Sequence, residues 1–177
     1  MPDDTGHGTE SGWPLELYRV LKQAGVRQMV YVPDAGHSQL IRLFHADPEI
    51  RSTVLTTEQE GIAIAAGCWL GGQRSVLLMQ SSGVGNCINT LSLVANCRFP
   101  LLMIVTMRGE WAEFNPWQIP MSMATEDSLR AIGVRPIRVD RTEDIAPVTS
   151  SAAVLAFDSD QAIAVLISQR ALGAKTW

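Results

Sequence analysis

Four short segments of this chain carry residue types suited to chemistry. Glu58 follows a run that reads as a strand and opens a run that reads as a helix. A glutamate there ordinarily does no more than complement the positive end of the helix dipole; the sharper role for a carboxyl group at a strand end is moving a proton. Ser81-Ser82-Gly83-Val84-Gly85-Asn86 joins a strand to a helix predicted over 86–96. Its backbone amides can cradle an anion at the helix start, although glycines that only supply turn dihedrals give the same pattern. Ile88 occupies the third glycine position of a dinucleotide fingerprint and no Gly-Lys-Ser/Thr follows, so both common nucleotide motifs fail. Arg108 ends a further strand and opens a long aromatic loop. There it can hold an anion through two parallel hydrogen bonds, or pair with a surface acid. His37 can serve as an acid/base, as a donor to substrate, or merely as a helix start. No nucleophile elbow, histidine pair at metal-ligand spacing or Cys/His cluster is present, so no metal ligand is expected from this chain.

Short apolar runs alternating with helix-period segments must position these residues. The pattern predicts helices over 13–24, 37–46, 57–70, 86–96, 125–132 and 143–158. Strands are expected over 27–32, 52–55, 75–80, 101–106, 136–139 and 162–167. Thr57 and Glu60 have capping-box spacing at the start of the third helix. Continuous apolar strands separated by helices imply a three-layer α/β domain: a mainly parallel six-stranded sheet with helices on both faces. That domain is expected over 13–177, after a disordered tail at 1–12. Ligands of such sheets lie beyond the carboxyl ends of the strands. This rule nominates the loops at 33–37, 56–58, 81–86 and 107–120. The helix after Glu58 is rich in small residues: Gly61/Ala65 and Ala63/Gly67 each lie four apart. Such faces suit either a buried helix crossing or a subunit interface.

Composition narrows the function classes. The chain has 177 residues and is 46% hydrophobic, but only 18% of residues are charged. Typical domains carry about 25%, and that shortfall suggests a surface covered by another chain. A net charge of −4 with no basic run argues against nucleic-acid and anionic-membrane partners. Apolar runs are too short to span a membrane, and the polar, acidic N-terminus does not read as a signal peptide. Three cysteines without a CxxC pair fit a reduced, cytoplasmic compartment.

Taken in order, the strand-end motifs resemble those of the alpha chain, or pyrimidine-binding half, of sulfopyruvate/phosphonopyruvate-type decarboxylases that depend on thiamine diphosphate. The matching residues are Val32-Pro33-Asp34, Thr57-Glu58-Gln59-Glu60 leading to Ala65-Ala66-Gly67, Gln80 to Asn86, and Arg108-Gly109 followed by Gln118-Ile119-Pro120-Met121. The resemblance spans about residues 13–170. It implies that Glu58 hydrogen-bonds the cofactor's aminopyrimidine, with Pro33, Asp34, Gln80, Ser82, Gly83 and Asn86 also on the cofactor. It further implies His37, Ser82, Arg108 and Gln118 on a small 2-oxo acid, with His37 joining Glu58 in catalysis. The family's Gly-Asp-Gly and Asn-Asn motifs for diphosphate and Mg²⁺ are missing, since the chain has no Asp-Gly and no Asn-Asn dipeptide. A separate beta subunit is therefore expected to hold both groups, in an α2β2 or larger assembly. Ala35-Gly36-His37 and Ser122 depart from the family pattern near the expected substrate pocket. A 3-sulfo- or 3-phosphonopyruvate is the first expectation, with an aromatic or branched 2-oxo acid, carboligation, or a non-catalytic partner module as alternatives.

Overall fold

The computed structural model describes residues 12–173. In chain order its elements are α1 (Trp13–Gln23), β1 (Val26–Tyr31), α2 (Ser38–Ala46), β2 (Arg51–Val54), α3 (Glu58–Leu70), β3 (Arg74–Gln80), α4 (Ser81–Cys87), α5 (Ser92–Cys97), β4 (Leu101–Thr106), α6 (Ile119–Ala131), β5 (Arg135–Val139), α7 (Thr142–Phe157), β6 (Ala162–Ile167) and α8 (Gln169–Leu172). Of the tail expected at 1–12, only Gly12 falls within the described residues.

All six strands pair in parallel, in the order β2-β1-β3-β4-β6-β5. β4 and β6 are buried at every position, as expected of central strands covered on both sides. Alternate residues feed two separate cores. Met29, Val76, Leu78 and Ile104 face α1, α2 and α7, whereas Val30, Leu77, Met79 and Val105 face α3 to α6. These two cores define the three layers.

Gly61 explains how α3 settles on the sheet: a Cβ there would lie 2.6 Å from Leu77 Cδ1 and 3.1 Å from Leu55 Cδ1. The Gly61/Ala65 face is thus the buried crossing. The Ala63/Gly67 face points outward, and a Cβ on Gly67 would meet nothing within 4 Å.

Three local expectations are corrected. Residues 81–86 are not a turn leading into a helix at Asn86; they form most of α4, which begins directly on β3. α6 starts at Ile119 rather than 125, with Pro120 in its first turn, where a missing N–H costs nothing. Thr57 makes no side-chain cap; instead Glu60 accepts from the N–H (3.0 Å) and Oγ1 (2.6 Å) of Thr56, one residue earlier.

Candidate active site

From β1 the chain moves to β2 on one side, then crosses to β3 on the other. The crevice beyond the carboxyl ends of β1 and β3 is therefore the topological switch point of the sheet. The sequence-nominated residues fall into two contact groups at this end of the sheet: Glu58 with Gly83 and Asn86, and Asp34 with His37, Thr106 and Arg108.

Glu58 is the first residue of α3 and only 6% exposed. Asn86 Nδ2 donates to its Oε2 at 2.8 Å. The other oxygen faces Gly83, where a Cβ would stand 2.4 Å from Oε1 and 2.5 Å from Cδ. Gly83 is therefore required by contact: any side chain would occupy the space of the carboxyl group. This explains a glycine inside α4, where it costs about 1 kcal/mol relative to alanine. Cys87, one turn further along α4, is buried, and burial together with the nearby Glu58 charge pushes its thiol up to about 12. It is therefore inert.

At the end of β1, Pro33 is exposed, while the Asp34 side chain is only 6% exposed. Thr106 Oγ1 donates to Asp34 Oδ2 at 2.6 Å, tying the β1 loop to β4. His37 Nδ1 lies 3.5 Å from the same oxygen. His37 is fully buried, and neither ring nitrogen has a hydrogen-bond partner. Burial lowers its pKa to about 4, against the opposing pull of the Asp34 carboxylate, so the imidazole is neutral near pH 7. With no exposed surface, it reaches the crevice through Asp34 rather than by direct contact. Gly36 is another forced glycine, since a Cβ would lie 2.9 Å from Thr106 Cγ2 and 3.0 Å from Asp34 Oδ2.

Arg108 sits at the mouth of a cavity of about 180 Å³ lined also by Asp34, Gly36, Thr106 and Gln169. Its Nε and Nη2 each donate to Glu113 at 2.8 Å. Of the two roles open for Arg108 in the sequence, the structure displays the ion pair, in a largely buried setting rather than at the surface. Glu113 was not singled out by sequence reasoning, yet it organises the whole loop. It also accepts from the backbone N–H of Gly109 and Asn115 and from Gln169 Nε2. The Arg108 guanidinium and these donors hold its carboxyl down to about 2. Gln169 Oε1 in turn accepts from the N–H of Glu110 and Trp111. Gly109 has φ +80°, and a Cβ there would press on the Gln118 backbone at 2.9 Å, so the loop folds tightly back on itself.

Ser81 Oγ accepts from the Arg108 N–H at 3.1 Å and joins α4 to this loop. Ser82 is half-buried beside it in α4. Gln80 and Gln118 each keep a buried side-chain oxygen without a partner. Orphaned buried acceptors are uncommon in native folds and ask for a donor from outside the chain. This end of the sheet thus combines a buried carboxyl group, fixed by Asn86 and packed against Gly83, with the unsatisfied buried acceptors of Gln80 and Gln118. This donor and acceptor set fits an aminopyrimidine ring, which presents both ring nitrogens and an amino donor. Among the described residues no group of three or more His, Cys, Asp or Glu is placed to hold a metal ion. No described helix is long and apolar enough to cross a membrane.

Comparisons with known proteins give the family. Residues 16–116 match the family model for the N-terminal TPP-binding domain of thiamine pyrophosphate enzymes. The sulfopyruvate decarboxylase subunit alpha of Methanothermobacter thermautotrophicus is 36% identical over 157 residues, covering 85% of this chain and 92% of that protein. A sulfopyruvate decarboxylase of Methanosarcina acetivorans is 29% identical, covering 88% of this chain but 40% of that longer protein. Among solved structures, a 2-oxoglutarate:ferredoxin oxidoreductase from Magnetococcus marinus superposes with a TM-score of 0.70 at 13% identity, over 92% of this chain and 29% of that one, and so shares the fold. The chain belongs to the thiamine pyrophosphate enzymes, as an N-terminal TPP-binding domain of the kind found in sulfopyruvate decarboxylase alpha subunits.

Proposed function

We propose that this chain is the alpha subunit of a thiamine-diphosphate-dependent 2-oxo acid decarboxylase, acting on 3-sulfopyruvate or the related 3-phosphonopyruvate to give an aldehyde and carbon dioxide. The observation that carries this reading is the Glu58 carboxyl group, buried at the switch point with Asn86 donating to one oxygen and the bare Cα of Gly83 packed against the other. Support for the substrate comes from the relatives named sulfopyruvate decarboxylase.

Thiamine diphosphate supplies the electron sink that a 2-oxo acid needs to lose carbon dioxide. Glu58 would hydrogen-bond the aminopyrimidine and serve as the group that exchanges a proton with it. Asn86 fixes the carboxyl rotamer by donating to Oε2. Pro33 and Asp34 form the wall on the β1 side; Gln80, Ser82 and Gly83 form the opposite wall. The buried acceptor of Gln80 suits the ring's amino group. Arg108, Gln118 and Ser82 face the substrate, and His37 acts on Asp34 from behind, as a positioning rather than a contacting group.

Diphosphate and Mg²⁺ are assigned to a partner beta subunit in an α2β2 or larger assembly. The M. acetivorans relative, which is more than twice as long as the matched region, carries enough additional chain to supply such a partner in cis. The outward Ala63/Gly67 face of α3, with Trp69 and Leu70 exposed near its end, is the surface this partner would cover. The low charge content is consistent with that cover, and a cytoplasmic setting with the whole reading.

A second reading has a specific observation in its favour. Glu113 already engages Arg108, which leaves less positive charge for a sulfonate. With Trp111 and Trp117 exposed on the same loop, a 2-oxo acid with an apolar side chain becomes the alternative. Steady-state decarboxylation by the reconstituted two-chain enzyme, across 3-sulfopyruvate, 3-phosphonopyruvate, phenylpyruvate and a branched 2-oxo acid, separates the two. Highest kcat/KM on an anionic substrate supports the main reading. Highest kcat/KM on an apolar substrate replaces it, and no turnover on any 2-oxo acid removes the decarboxylase assignment.

A further inference from the structure

At the opposite end of the sheet from Glu58, roughly 20 Å away along strands of six residues, the first residues of β5 and β6 and the end of α5 border a cavity of about 400 Å³. Its floor is apolar, including Phe99, Val134 and Ile132, and its rim carries Arg98, Arg135 and Asp160. Neither arginine has an ion pair or side-chain hydrogen bond among the described residues, and Asp160 has none either. Arg19, Arg42 and Arg51 are likewise without such a partner among the described residues, but none of them shares a cavity with a second arginine and an acid, as Arg98 and Arg135 do with Asp160.

Backbone conformation sets the rim apart in a second way. Only Arg98, Ala112 and Asp160 combine a side chain with positive φ among the described residues, and two of those three line this cavity, each at φ 52°. The third turn at this end, between α6 and β5, takes its positive φ with Gly133, the residue suited to it. Arg98 closes α5 as its left-handed C-cap, a place where glycine is strongly favoured. Aspartate visits this region readily, so Arg98 is the strained position of the rim, and strain kept under a charged side chain points toward a ligand.

We infer that this cavity binds a small zwitterion with an apolar side chain, of the α-amino acid class. The two guanidiniums receive the carboxylate, Asp160 receives the ammonium group, and the Phe99/Val134 floor receives the side chain. A bare inorganic anion would satisfy the arginines but would face Asp160 and leave the floor uncovered. The inference is independent of the decarboxylase reading, because none of its residues takes part in the site at the other end.

The test is a two-dimensional amide NMR titration of the full chain with L-leucine, 4-methylpentanoate and inorganic phosphate. Saturable shifts confined to 94–99, 132–135 and 160–162 are expected with L-leucine. Binding of 4-methylpentanoate, which lacks the ammonium group, should be about tenfold weaker, as should L-leucine binding to Arg135→Gln or Asp160→Asn. Arg98→Gly should raise the melting temperature by relieving the left-handed strain, while abolishing the shifts; this variant keeps the test valid if another rim variant folds poorly. The inference is overturned if L-leucine gives no saturable shifts there at ~20 mM, if phosphate binds as tightly, or if Asp160→Asn leaves the affinity unchanged.

Discussion

Gly83→Ala is the smallest change that should disable the Glu58 carboxyl group without removing it. The new methyl carbon would lie 2.4 Å from Oε1, 2.5 Å from Cδ and 2.6 Å from Cγ, whereas ordinary contacts begin near 3.4 Å. Relief requires the carboxyl group to move by roughly 1 Å, which also breaks the 2.8 Å bond from Asn86. A misplacement of that size costs about 10²-fold in rate. Folding should suffer little, because alanine is the better helix former by about 1 kcal/mol and offsets part of the strain. The assay pairs steady-state decarboxylation by the two-chain enzyme with thermal melting of the variant chain. A loss of about 100-fold in kcat, with the melting temperature nearly unchanged, is the expected pattern. In a Glu58→Gln background the same substitution should cost little more, since both act through one group. A Gly83→Ala enzyme within about threefold of the parent rate would show that the position of the carboxyl group does not matter.

Other predictions concern the groups around Glu58. Asn86→Ala removes the side-chain amide that donates to the carboxyl group and should lower kcat about tenfold, read in the same assay, because hydrogen bonds to charged groups contribute about 1.5–3 kcal/mol. Glu113→Gln should loosen the Arg108 loop and raise KM more than it lowers kcat. Because the folded-state pKa of Glu113 is depressed to about 2, its contribution to stability is complete above about 4.5 and is lost as pH falls toward 2. The melting-temperature gap between parent and Glu113→Gln should therefore narrow across that interval. His37 is held neutral in the fold down to about 4, so the unfolded chain takes up its proton first as the solution is acidified. Stability tied to His37 should be full above about 6.5 and decline as pH falls to about 4, and His37→Met should flatten that part of the melting profile.

The sheet was legible because buried parallel strands are near-continuous apolar runs, and the bounds of β6 (Ala162–Ile167) follow from its run to the residue. Glu58 was legible because a carboxyl group between an apolar strand and a small-residue helix stands at a strand end, where sheets of this kind bind their ligands. Helix α4 was not, since Ser81, Ser82, Gly83 and Gly85 are poor helix formers. Tertiary contact overrides propensity there: Gly83 is in the helix because Glu58 occupies the space beside it. The start of α6 was hidden because Pro120 reads equally well as the end of a loop, although proline is well accommodated in a first turn. Glu113 had a local signal, an acid five residues after Arg108 in a loop too long to be a plain connector. Gln169 had none, since it meets the N–H of Glu110 from 59 residues away.

The proposed role of Glu58 in activating the cofactor is tested most directly by 3-sulfopyruvate decarboxylation with Glu58→Gln, assembled with the beta subunit and saturated with thiamine diphosphate. The expected result is a fall in kcat of about 10²-fold or more, while the variant still assembles and melts like the parent. A Glu58→Gln enzyme that turns over at the parent rate would contradict it.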